Sequence, residues 1–275
     1  MSAQTPAGLK VGCQTYTWEM LGPGFTGGPD DLLDAIAAAG YAGIEITNTM
    51  IGDYAGRPAD FARALGARGL TLVAFAAGSA SGFTEPDARD ADLASVDRWL
   101  GFLEGFPGAL LSLGSATVMS PGAREEKFEA AARFYNAAAA RGAKAGIGVA
   151  VHPSSHHDTL LFDRADYDAL FARLDALVGW VPDTGHILRG GQDILDTLAT
   201  YRDRIRYLHL KDVDAAGDWA MLGAGVCDTP AVIASVAAAP AFTGWLVLEE
   251  ESDEAAADPA AAVAKNRQTM RALGA

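Results

Sequence analysis

The chain has few of the features that mark membrane, secreted or nucleic-acid-binding proteins. No apolar run approaches the roughly 18 residues that a spanning helix requires. The opening residues, MSAQTPAGLK, carry no apolar stretch of the kind a secretory signal contains, so a cytoplasmic location is expected. Only two cysteines occur, Cys13 and Cys227, with no spacing motif between them. They are expected to be reduced core thiols rather than a disulfide framework. Basic residues are outnumbered, 21 Lys and Arg against 35 Asp and Glu, for a net charge of −14. That balance argues against the clustered cations of a nucleic-acid surface and against docking on an anionic membrane. The first apolar run is followed by no glycine-rich loop. GCQTYTW lacks the dinucleotide fingerprint, which argues against an open doubly wound sheet.

What the chain does have is repetition. Eight short apolar or β-branched runs punctuate it: LKVGCQTY, GIEIT, LTLVAFAA, ALLSLGS, GIGVAVH, LVGWVPD, IRYLHLK and WLVLEE. Segments of helical period separate them. PDDLLDAIAAAG opens on Pro and Asp and stops on Gly40, the usual start and stop signals. REEKFEAAARFYNAAAARG, DRADYDALFARLDALV, DILDTLATYRDR and TPAVIASVAAA follow the same pattern, and EEESDEAAADPAAA reads as a loop leading into the last helix. Each unit is long enough for a right-handed crossover. Eight βα repeats without a linker predict an α/β protein in which residues 1–275 form one closed (β/α)8 TIM barrel.

All five histidines fall between His152 and His209, each at or just beyond the end of one of these runs. Polar side chains at the C-terminal ends of successive strands are how such a barrel builds a site. Converging His, Asp and Glu suit a divalent metal. In PDTGH, Asp183 sits at the barrel mouth with His186 just above it; the alternative makes Asp183 a helix cap and leaves His186 exposed. In YLHLKD, His209 and Lys211 share a strand face, so Lys211 can reach substrate oxygens while Asp212 points away. Glu249 and Glu251 share a face likewise, and their mutual repulsion raises one pKa unless a cation sits between them, which a metal would provide. The loop HPSSHHDT places Ser155, His156, His157 and Asp158 above His152 for hydrogen bonds to hydroxyls, with one of the two loop histidines open to a merely solvated role. Glu45 and Trp18 are candidates for the pocket wall, with ordinary packing as the alternative.

DTGH after the sixth strand, HLKD on the seventh, LGAGVCD after it and a last strand ending in Glu resemble the xylose isomerase-like TIM barrels, the sugar phosphate isomerase/epimerase superfamily. The match covers nearly the whole chain and is closest from about residue 145. The loop HPSSHHDT and the ending WLVLEEESD resemble the inosose dehydratase branch. The resemblance implies one divalent metal at the ends of strands five to eight, held in epimerase members by Glu, Asp, His and Glu. Asp183, His209 and Glu249 match, and His152 stands where the first Glu would be. That exchange removes one of the paired glutamates that epimerases use on opposite faces of the substrate.

The chemistry expected of these residues is enolisation of a small polyhydroxy ketone through a metal-bound enediolate, with Mn²⁺, Co²⁺, Fe²⁺ or Zn²⁺ as the ion. Glu249 or Glu251 takes the proton, and His152 or His156 protonates a departing hydroxyl. Isomerisation or epimerisation is placed first and dehydration of an inosose-like cyclitol second. The partner is a neutral keto-sugar or cyclitol, because EEESDE after the eighth strand repels a phosphate and RGG at 189–191 is a weak cradle. No nucleic acid and no membrane is expected, and assembly into a homo-oligomer stays open. Two other classes are a metal-dependent abasic-site endonuclease, disfavoured by the charge, and a non-catalytic sugar-binding barrel.

Overall fold

A computed structural model describes residues 8–275; residues 1–7, most of the opening segment considered above, lie outside the described residues. Strands β1 (Lys10–Gln14), β2 (Gly43–Thr47), β3 (Thr71–Ala77), β4 (Leu110–Leu113), β5 (Val149–Val151), β6 (Val178–Trp180), β7 (Leu208–Leu210) and β8 (Trp245–Leu248) form one parallel sheet. Its order, β6-β5-β4-β3-β2-β1-β8-β7, is that of a curled (β/α)8 barrel. Seven neighbouring pairs are joined by ladders, with a register shift between Ile44 and Glu45 where β2 meets β3. The eighth pair, β6 with β7, is joined only by isolated bridges, Trp180 to Ile205 and Asp183 to His209. Each of the eight apolar runs contains one of these strands.

The helices start and stop where their chemistry dictates. Pro29–Ala39 begins on proline and ends at Gly40, whose φ of 84° is the left-handed C-terminal stop that favours glycine. The side chains of Asp163, Asp193, Asp228, Ser252 and Asp258 each accept a backbone N–H in the first turn of the helix they open. Part of the acidic excess is thus spent on capping. The segment DRADYDALFARLDALV is helical only over Arg164–Phe171. EEESDEAAADPAAA contains a short helix, Asp253–Ala257, before the last one begins at Pro259. No helix among the described residues is long and apolar enough to cross a membrane.

Two apolar layers fill the barrel. The larger lies between strands and helices, and a smaller cluster, including Val73, Leu110, Tyr207, Trp245 and Val247, plugs the lumen. Gly43 makes room for this plug, since a Cβ there would lie 2.7 Å from both Trp245 and Val73. Because strand side chains alternate, the lumen-facing residues that follow the plug along each strand occupy its C-terminal mouth. Those are Gln14, Glu45, Ser112, His152, Asp183, His209 and Glu249, and all but His152 are buried.

Candidate metal and substrate site

At the mouth, His152, Asp183, His209 and Glu249 bring ligand-type atoms within 4.8 Å of one another. His152 Nε2 lies 3.0 Å from His209 Nδ1 and 3.5 Å from Asp183 Oδ2. His209 Nδ1 is 3.0 Å from Glu249 Oε2. Asp183 turns one oxygen to a helix cap and the other to the cluster. Oδ1 accepts the backbone N–H of His186 at 2.9 Å, capping the short helix Thr184–Arg189. Oδ2 is buried without a hydrogen-bond partner and faces the two imidazoles. A buried carboxylate oxygen left unsatisfied is costly unless a cation joins it.

His209 is held from behind. Its Nε2 lies 2.7 Å from Glu45 Oε2, and Gln14 Nε2 donates to Glu45 Oε1 at 2.9 Å. A carboxylate on the far nitrogen aims the near one into the cluster, as around metal-bound histidines generally. Burial opposes charge on this ring, but the surrounding carboxylates, Glu45 first, outweigh it and hold the pKa well above the ordinary histidine value. For Glu249 and Asp183, burial favours the neutral acid, and the neighbouring imidazoles and Lys211 nevertheless hold both carboxyls well below the usual range.

Lys211 departs from expectation. Its side chain is buried, with Nζ 2.9 Å from Glu249 Oε1 and also bonded to Glu251 Oε1. The indole of Trp219 covers the ammonium at 4.1 Å. Trp219 belongs to a hairpin in which Asp212–Val213 pairs with Trp219–Ala220. Lys211 is thus held by the two carboxylates and does not line the cavity, where it was expected to reach substrate oxygens. It is the cation that the neighbouring Glu249 and Glu251 require, and their charges raise its pKa in spite of burial. Asp212 points away from the lumen but is buried, accepting backbone N–H groups from Val213, Gly223, Gly225 and Cys227. Gly185 is needed here, since a Cβ would lie 2.6 Å from the Trp219 ring and 2.8 Å from Lys211 Cβ.

Above the cluster opens a cavity of about 510 Å³, within the usual range for small-molecule sites. His152, His156, His157, His186, Glu249 and Glu251 line one side. Glu45 is on the wall as expected, but both its oxygens are taken by His209 and Gln14. Trp18 is not on the wall; it packs in the core, and Tyr16 and Glu19 from the same turn face the cavity instead. The helical spacing of that unforeseen turn, Tyr16–Glu19, is what exchanges them. The far side carries Thr47, Asn48, Ser79, Ser115 and Thr117, and no Lys or Arg lines the cavity among the described residues.

The loop after β5 folds over this space. His156 Nε2 lies 3.0 Å from Glu251 Oε2, while exposed His157 sits at a φ of 59°. His186 is buried rather than exposed, and its Nδ1 meets the backbone N–H of Ser155 at 3.0 Å. Burial holds the His186 pKa well below the ordinary value. Ser155, expected to bond hydroxyls, meets His186 instead; the roles of Gln14 and Trp219 had no separate signal in the sequence, although DAAGD does read as the turn of the Trp219 hairpin.

The model of the xylose isomerase-like TIM barrels matches residues 33–273. An inosose dehydratase of Geobacillus thermodenitrificans is 32% identical over 148 residues, 47% of this chain and 49% of that protein. The chain thus spans about half the length of that relative. The rhizopine catabolism protein MocC of Rhizobium meliloti is 28% identical over 91% of this chain and 84% of its own. Among solved structures, the 3-keto-D-glucoside 4-epimerase of E. coli superposes with a TM-score of 0.76 at 18% identity, covering 96% of this chain and 99% of that one. The zinc-binding IolI protein gives 0.76 at 14% identity over 96% of both chains. At such identities the likeness is one of fold. The family match, spanning most of the length and every ligand-type residue of the mouth, is what places this protein: it belongs to the xylose isomerase-like TIM barrels.

Proposed function

We propose that the protein is a metal-dependent enzyme that removes the proton next to the carbonyl of an uncharged polyhydroxy ketone, a keto-cyclitol or keto-sugar, and expels a β-hydroxyl as water. His152, Asp183, His209 and Glu249 would hold the ion. The unpartnered Asp183 Oδ2 and the imidazole aimed by Glu45 support that donor set. Such an ion, bound, supplies Lewis acidity to the substrate carbonyl; mixed nitrogen and oxygen donors suit Mn²⁺, Co²⁺, Fe²⁺ or Zn²⁺.

The observation that carries the reading is the Glu251–His156 pair, 3.0 Å apart on the cavity wall beside the cluster. Glu251 takes the proton α to the carbonyl, and the C–H electrons enter the carbonyl to give an enolate. His156 shares that proton through its hydrogen bond to Glu251. The pair then delivers it to the β-hydroxyl, which leaves as water while the carbonyl re-forms beside a new double bond. Glu249 stands in the cluster with His152, Asp183 and His209 and serves there as a ligand, whereas Glu251 lies outside that cluster. Lys211 fixes Glu251 in place without entering the cavity. Hydroxyl and amide side chains on the far wall would hold the remaining substrate hydroxyls, and the lack of a lining cation supports an unphosphorylated substrate.

Epimerisation, placed first on sequence alone, needs a proton carrier on each face of the substrate. The wall from β3 and β4 offers Ser79, Ser112, Ser115 and Thr117 but no carboxylate or imidazole. The named dehydratase relatives favour the same outcome. The test is NMR of the zinc- or manganese-loaded protein with an inosose and with a free ketose in D₂O. Loss of water from the inosose is expected. An isomeric product carrying deuterium without loss of water would replace dehydration by isomerisation, and no exchange with either substrate would reject enolisation.

A further inference from the structure

A second group of metal-type side chains, His156, His186 and Glu251, stands beside the first with atoms equally close together. By residue type it resembles another cation site. The hydrogen bonds of His186 argue otherwise. Its Nδ1 faces the backbone N–H of Ser155 at 3.0 Å and the Ser155 hydroxyl at 2.8 Å. A backbone amide can only donate, so Nδ1 must present its lone pair. A proton on Nδ1 would set two hydrogens against each other. Neutral imidazole carries a single N–H, which then lies on Nε2 and leaves that nitrogen no lone pair for an ion.

We propose that Ser155 fixes His186 in the Nε2–H tautomer, making the ring a hydrogen-bond donor to a substrate oxygen and not a ligand of a second cation. The ring has little freedom to escape this state. Its backbone N–H is tied to Asp183, its edge packs against Trp219 with centroids 5.3 Å apart, and the residue is 4% exposed. His186 lines the cavity, so a donor there faces whatever oxygen gains charge during reaction. The identity of that oxygen, the developing enolate, rests on the proposed function; the tautomer does not. Preorganised donors of this kind stabilise developing charge without reorganising. Ser155 acts through His186 and is a positioning residue.

The test uses the EDTA-treated protein labelled with ¹⁵N-histidine, with His186 assigned by loss of its signals in His186→Gln. Correlation of ring C–H to nitrogen signals is expected to show a bare Nδ1 and a protonated Nε2 on His186. A bare Nε2, or two protonated nitrogens, overturns the inference. Titration with zinc should then perturb His152 and His209 at the first equivalent and bind no second one. A second equivalent that converts a His186 nitrogen to the metal-bound type overturns it too. Failure to bind the first equivalent counts against the metal reading and leaves the tautomer assignment intact. Ser155→Ala keeps the amide and should keep the pattern, and its loss there would overturn the role of the amide. Ser155→Pro removes the amide N–H and should release the ring to a mixture of tautomers; an unchanged pattern in that variant shows Ser155 is not what fixes it.

Discussion

Replacing Lys211 by methionine should be among the most damaging single changes in the protein. The ammonium is buried between Glu249, at 2.9 Å, and Glu251, and serves both at once. Methionine fills similar volume, so the loss is chiefly electrostatic. Removing one partner of a buried ion pair costs about 3–5 kcal/mol because the other charge is left uncompensated. At roughly 2–4 °C per kcal/mol for a chain of this size, the melting temperature should fall by about 6–20 °C. Thermal and urea unfolding of the EDTA-treated protein would measure it. Adding Glu251→Gln to the same chain should recover part of the loss, because one of the two stranded carboxylates is then neutral. The pH dependence has a definite sign. In the parent, Glu249 has its folded pKa held below the unfolded value. Its stabilisation is therefore present above about pH 4.3 and lost as pH falls through the folded pKa. Without Lys211 the carboxyl pKa rises, and a proton can take the place of the ammonium. The gap between variant and parent should thus be widest at neutral pH and narrow in acid. A loss under about 1 kcal/mol at pH 7, or a gap that widens in acid, would refute the view that Lys211 neutralises the pair.

Glu45→Gln leaves the cluster's own residues untouched but weakens the acceptor behind His209, and should lower zinc affinity about 10–100-fold by calorimetry. Asp183→Ala removes both a ligand oxygen and a helix cap, so purified variant should retain no stoichiometric metal by elemental analysis while the parent does. Zinc at a hundred times its dissociation constant should raise parent stability by about 2.7 kcal/mol and leave the Asp183→Ala melting curve where it was. Gly185→Ala drives a methyl into Trp219 and Lys211, and should cost about 1–3 kcal/mol in urea unfolding.

Much of this architecture could be read from the chain because its signals are local. A strand of three or four residues followed by a capped helix declares itself through alternation, Pro, Asp and Gly. The four ligand-type residues were legible for the same reason: each lies within three residues of the end of its own strand. What periodicity could not convey is how neighbouring side chains share partners across the mouth. The repulsion between Glu249 and Glu251 was apparent from their spacing, yet their cation, Lys211, lies on another strand and was assigned to substrate. Trp18 gave way to Tyr16 and Glu19 on the wall because a single unforeseen helical turn rotates which residue faces the cavity. Asp183 was weighed as either a cap or a ligand, although a carboxylate has two oxygens and can be both.

The bridge between Asp183 and His209 spans the seam where, among the described residues, β6 and β7 meet without a ladder. Their side chains, at 3.7 Å, face each other across that seam. Whatever binds both therefore acts as a clasp on the barrel, in addition to any part it plays in chemistry. An ion held by both would slow opening of the wall between β6 and β7, so amide exchange there would report occupancy. A mutation that loosens the seam from outside, at Trp180 or Ile205, would weaken binding without touching a ligand.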